Sequence, residues 1–143
     1  MDTEFSYADE PMGIRVLLDP DDEVLVIMIA YGPVPKEKLS VVQELISRIN
    51  MLIVVSKYVM DPDTGALMLQ ASLCIVNDIL DEKDVLTLLK RMLSDSYNYT
   101  RLIVEQVQST KTPAEIMGGF LRDNVEPCNC FMRLKEEKKC ILH

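Results

Sequence analysis

Histidine is almost missing: the only one among the 143 residues is His143, at the chain's end. A histidine-based triad or dyad would have to be built from a chain end, a place where order is usually low, which counts against that chemistry. Tryptophan is absent, phenylalanine occurs three times and tyrosine five times. Glycine is sparse at five residues, and Gly118-Gly119 lacks the following Lys and Ser/Thr of a phosphate-binding loop. No apolar run reaches the roughly 18 residues a spanning helix needs. Positive charge is also short, with 15 Lys and Arg against 23 Asp and Glu, for a net charge of -8. Such a surface repels phosphate backbones and anionic lipid, so neither nucleic acid nor membrane is an expected partner. Met1 to Pro11 has no basic start followed by an apolar run, unlike a secretory signal, so a cytoplasmic location is the expectation. There the four Cys (Cys74, Cys128, Cys130, Cys140) are expected to be reduced, with Cys74 buried and inert in a strand.

Apolar residues make up 48% of the chain and charged residues 27%, a balance that suits one folded domain. Methionine is frequent at nine residues. Met fills gaps in cores, and on a surface it adapts to varied partners.

The pattern along the chain predicts two hairpins and several helices. Ile14 to Leu18 and Glu23 to Tyr31 read as strands around Asp19-Pro20-Asp21-Asp22, whose Pro and Asp suit a turn. Gly32-Pro33-Val34-Pro35 ends the second strand. Leu39, Val42, Leu45, Ile46 and Ile49 recur at helical spacing within Lys36 to Asn50. A third strand is predicted over Ile53 to Met60, a turn at Asp61 to Gly65, and a return strand over Ala66 to Val76. In that strand Leu67, Leu69, Ala71, Leu73 and Ile75 share one side, and Met68, Gln70, Ser72 and Cys74 the other. Asp81 is placed to cap a long helix over Glu82 to Gln108, with a weak stretch at Ser94 to Asn98. Thr112-Pro113-Ala114-Glu115 is a capping box that opens a short helix, and Gly118-Gly119 is expected to end it.

These elements predict an α+β class: an antiparallel sheet of four or more strands packed against long helices. Residues 1–12 are expected to be an N-terminal extension, 13–121 the domain, and 122–143 a Cys-containing tail.

Within Arg15 to Met117 the chain resembles the YbjN-like family of bacterial proteins. The likeness is carried by Ile14-Arg15-Val16 and Val24-Leu25-Val26 leading to Val34-Pro35, and by the Leu-rich helix ending Arg48-Ile49-Asn50. It continues through Lys57-Tyr58-Val59-Met60-Asp61-Pro62-Asp63-Thr64-Gly65, the Leu80-Asp81 helix start and Thr112-Pro113-Ala114-Glu115. The resemblance implies a fold similar to type III secretion chaperones, a dimer, client-holding surfaces and a regulatory role with no established active site. Such chaperones generally begin with a helix, and Met1 to Pro11 is too short and too rich in Pro and acid to supply one.

Other chemistry is weakly signalled. Asp19, Asp21, Asp22, Asp61 and Asp63 lie where turns want acids. Asp61-x-Asp63-x-Gly65 falls short of a calcium loop, because Ser72 occupies the place of the bidentate Glu. Cys128-x-Cys130 with Cys140 and His143 supplies a tetrahedral zinc donor set, though with tighter spacing than structural sites favour. That set is the basis of an alternative metal- or redox-responsive reading. Cys140-Ile141-Leu142-His143 has the bare form of a prenylation box, with a poor last residue. No cofactor is expected.

The strongest functional signal is apolar excess. Val24, Val26, Met28 and Ala30 point one way, and Leu25, Ile27, Ile29 and Tyr31 the other. Ile14, Val16 and Leu18 alternate with Leu17, and Ile53 and Val55 with Val54 and Tyr58. A sheet wet on one side should alternate apolar with polar. Two helices can cover one face, so the other is expected to be covered by something else: a second copy in a homodimer, a protein client or regulator, or the chain's own C-terminal tail. The candidate partner-facing side chains are Leu25, Ile27, Ile29, Tyr31, Val54, Tyr58 and Met68. A non-enzymatic protein-binding module is the expected class.

Overall fold

The computed structural model describes residues 13–19, 21–77 and 79–124. Strands β1 (Gly13–Asp19) and β2 (Val24–Ala30) form the first hairpin. A 3-10 turn at Lys36–Lys38 leads into helix α1 (Leu39–Asn50). Strands β3 (Lys57–Met60) and β4 (Leu67–Cys74) form the second hairpin. Helices α2 (Glu82–Gln108) and α3 (Pro113–Asn124) follow. The four strands make one sheet in the order β1-β2-β4-β3, with every neighbouring pair antiparallel. The expected α+β architecture is therefore the one observed.

Local chemistry accounts for the turns. Asp19 Oδ1 accepts from the Asp21 and Asp22 amides, and Glu23 takes φ +51 to enter β2. Asp61 Oδ1 accepts from the Asp63 and Thr64 amides. Those bonds hold the exposed Asp61 carboxyl below the usual carboxylate range. Gly65 has φ +74, and a Cβ there would lie 2.4 Å from the Val34 carbonyl oxygen. Both the twist and the close approach require glycine. The approach is productive, because the Val34 amide donates to the Gly65 carbonyl at 2.8 Å.

Helix ends follow the same logic. The Asp81 carboxylate accepts from the Lys83 amide, and Thr112 and Glu115 satisfy each other's amides as a reciprocal box. Lys38 reaches the Ser109 carbonyl at 2.8 Å, tying the entry of α1 to the end of α2.

The helices cover one face of the sheet. Leu25, Ile27, Ile29, Leu67, Leu69, Ala71, Tyr58 and Met60 point into the core, with Tyr31 just past β2. They meet Val42, Leu45, Ile46 and Ile49 of α1, Leu88, Met92, Leu102 and Ile103 of α2, and Ile116 and Met117 of α3. Each large side chain so placed contributes about 1.5–3 kcal/mol.

Four expectations need correction. Pairing of β3 begins at Lys57, not Ile53, because Asn50 grips Tyr58 through both backbone groups and Ser56 turns to Asp95. Residues 51–56 form a loop. Helix α2 is unbroken through Ser94 to Asn98, where Ser96 is buried and bonds the Tyr31 hydroxyl. Helix α3 continues through Gly118-Gly119, since burial of Ile116 and Met117 and the packing of Phe120 on Tyr99 hold it in place. Cys74 is exposed, on the side of β4 away from the helices.

Candidate partner-binding surface

Strand parity and register define the face that the described helices leave open. Cross-strand partners share a face, so the pairing gives its rows. One row is Gly13, Ala30, Met68 and Val59; the next is Arg15, Met28, Gln70 and Lys57. A third is Leu17, Val26 and Ser72, and a fourth is Asp19, Val24 and Cys74. Val24, Val26, Met28 and Met68 are half-buried by their strand neighbours. They form an apolar centre, with Arg15 and Lys57 at the two edges.

The apolar surface also wraps around one edge. Ile14, Val16 and Leu18 face the helix side, opposite Ile29, Ile27 and Leu25. The helical layer leaves them 46%, 55% and 58% exposed, and Leu17 on the open face is 52% exposed. Both faces of β1 therefore present large aliphatic groups to solvent among the described residues. Leu86 and Leu93, seven residues apart on α2, add a further exposed pair.

The predicted partner-facing residues divide accordingly. Leu25, Ile27, Ile29, Tyr31 and Tyr58 are core residues, not surface ones, because their parity directs them under the helices. Met68 lies on the open face. Val54 is 91% exposed in the loop 51–56. That loop and the sheet enclose a cleft of about 450 Å³ lined by Val26, Gln70, Ser72, Val54 and Ser56, among others. Missed by the sequence reading were the edge residues Ile14, Val16, Leu17 and Leu18, and the open-face role of Val24, Val26 and Met28. The signal that finds them is Gln70 and Ser72 in β4: polar members mark the wet face, and pairing carries that mark onto β2.

Beneath the sheet the buried polar groups satisfy one another. The Tyr31 hydroxyl shares a hydrogen bond with Ser96, and Tyr58 shares one of 2.8 Å with Thr100. Ser96 and Thr100 stand one turn apart on α2, so this helix reads the two tyrosines in register. Burial pushes the Tyr58 phenol far above its ordinary range, and the Thr100 bond offsets this only in part. Ser56 donates to Asp95 at 2.7 Å. These contacts fix α2 on the sheet and have the character of structural pairs.

A second cleft, of about 640 Å³, lies between α2 and α3. Its charged lining is partly internally paired: Lys111 bonds Glu105 at 2.7 Å, and the Arg101 guanidinium lies 5.8 Å from the Phe120 ring centre. No cluster of three or more His, Cys, Asp or Glu able to hold a metal occurs among the described residues. Cys128, Cys130, Cys140 and His143 lie outside them. No described helix is long and apolar enough to cross a membrane.

No family model, curated protein or solved structure matches the chain.

Proposed function

We propose that the chain is a non-enzymatic protein-binding module, chaperone-like and regulatory in role, that works as a homodimer and holds a protein client on its sheet. One observation carries this reading: apolar side chains of β1 and β2 lie on surface that the described helices do not cover. Covering four aliphatic groups of this size gains several kcal/mol at about 1.5–3 kcal/mol each, a strong drive to associate. Met28 and Met68 at the centre of the open face suit a partner whose side chains vary. Arg15 and Lys57 give that face a basic border on an otherwise acidic chain, which favours clients with acidic flanks. The likeness in turns and caps to YbjN-like proteins supports the same reading. Residues 25, 27, 29, 31 and 58 serve by holding the sheet flat on its helices.

The test is retention of proteins from a bacterial lysate by the immobilised chain, compared with Val26→Lys/Met28→Lys. Both positions lie on the open face, so the variant should keep its circular dichroism spectrum. A defined set of proteins retained by the wild type and lost by the variant is the expected result. An identical set on both would refute the open face as the binding surface.

A further inference from the structure

We propose that β1 pairs antiparallel with β1 of a second copy of this chain, placing Arg15 of each copy opposite Asp19 of the other. This deepens the reading above by assigning the homodimer contact to the sheet edge and leaving the open face for the client.

The two sheet edges differ. β3 has four paired residues and carries the exposed Lys57, a short charged edge of the kind that resists further pairing. β1 has seven residues, each paired one-to-one with β2 from Gly13 to Asp19, with no bulge. Within it Arg15 is the one charged residue before the closing Asp19. Arg15 apart, no edge protection such as a bulge or an inward lysine interrupts it. As the outer strand of the sheet it has its own edge outward, beside exposed aliphatic side chains on both faces.

The occupant follows from register. A two-fold axis perpendicular to the sheet keeps the helix-side faces together, so only pairings of like parity qualify. An axis at Arg15 sets two guanidinium groups opposite each other, which is repulsive. An axis at Val16 sets Arg15 against Leu17. An axis at Leu17 sets Arg15 against Asp19 twice, Leu17 against Leu17, and Val16 against Leu18 on the helix side. That register alone pairs both charges and both apolar layers. The Asp19 carboxylate already holds its own turn through Oδ1, and in this register its second oxygen would accept from the incoming guanidinium. An unrelated strand has no reason to carry this complement; a second copy carries it by symmetry.

The contact engages residues 15–19 of each chain, small against the roughly 20–30 residues a side of a standard interface. The dimer should therefore be concentration-dependent, largely dissociated at about 1 µM and largely formed at about 500 µM.

Light scattering on the full chain under reducing conditions tests this, with circular dichroism to establish folding. The wild type should approach twice the monomer mass at the upper concentration, and Leu17→Asp should stay monomeric throughout. Arg15→Glu faces acid with acid and should weaken the dimer at least tenfold. Adding Asp19→Asn, which keeps the turn-forming oxygen and removes the repulsion, should recover at least threefold of that loss. A wild-type monomer at the highest concentration, or an unchanged Leu17→Asp dimer, overturns the β1 contact. Failure of Asp19→Asn to restore pairing overturns the register. Lysate retention by a Val16→Asp chain, which sets acid against Leu18 from the helix side of β1 and leaves the open face unchanged, separates the two readings: client binding that survives loss of the dimer leaves the open-face function standing, while a monomeric wild type that still retains clients defeats only the dimer.

Discussion

Gly65 and Tyr58 illustrate how single residues set this fold. At Gly65 a methyl group would meet the Val34 carbonyl oxygen at 2.4 Å, in a backbone region that L side chains rarely adopt. Gly65→Ala should destabilise the chain by about 1–3 kcal/mol in a denaturant titration. Tyr58 joins sheet to helix through Thr100. Tyr58→Phe leaves the Thr100 hydroxyl buried without that bond and should cost about 1 kcal/mol near neutral pH. Its pH dependence is more specific. The phenol's folded pKa is raised above the ordinary 10.0, so the folded state keeps the proton longer than the unfolded one. Its contribution is complete below the unfolded value and is lost as pH rises through and beyond about 10, at up to roughly 1.4 kcal/mol per pH unit. Denaturant midpoints measured from pH 8 to 11 should fall more steeply for the wild type than for Tyr58→Phe. Parallel slopes would show that Tyr58 is not the group responsible.

Elements show where sequence suffices and where it does not. Turns and caps were legible residue by residue, since Asp19, Asp61, Asp81, Thr112 and Glu115 act on amides within three positions of themselves. The length of α2 was legible from its cap and its apolar spacing. The end of α3 was not, because tertiary packing of Ile116 and Met117 outweighs the low helical preference of Gly118 and Gly119. A Cβ at either glycine would meet nothing within 4 Å. Gly118→Ala and Gly119→Ala should each raise stability by about 0.5–1 kcal/mol, seen as a higher denaturant midpoint. A lower midpoint would mean that the helix does not continue through them in solution. The open face was misassigned for a similar reason. Alternation in β2 separates two apolar sets, but nothing in β2 says which set the helices cover. The answer lies in its pairing with β4, a strand some forty positions later in sequence, where Gln70 and Ser72 mark the wet side.

At the scale of the whole molecule, the three described α-helices serve one side of a four-stranded sheet, and their cover stops short of β1. Among the described residues the core is closed while β1 keeps exposed aliphatic groups along its edge. An acidic net charge of -8 opposes approach of like copies at long range, so the dimer proposed above would depend on the local match of Arg15 with Asp19. Added salt should therefore act in two opposed ways, screening the general repulsion and the specific pair alike. Backbone amide exchange along β1 reads that edge without any substitution. In the full reduced chain, the β1 amides that point away from β2 should exchange faster at about 1 µM than at about 500 µM, while those of β4 stay protected at both, as a shared edge requires. Exchange along β1 that is equally slow at both concentrations would mean the chain seals its own edge, and exchange equally fast at both would mean that nothing of its own kind binds there.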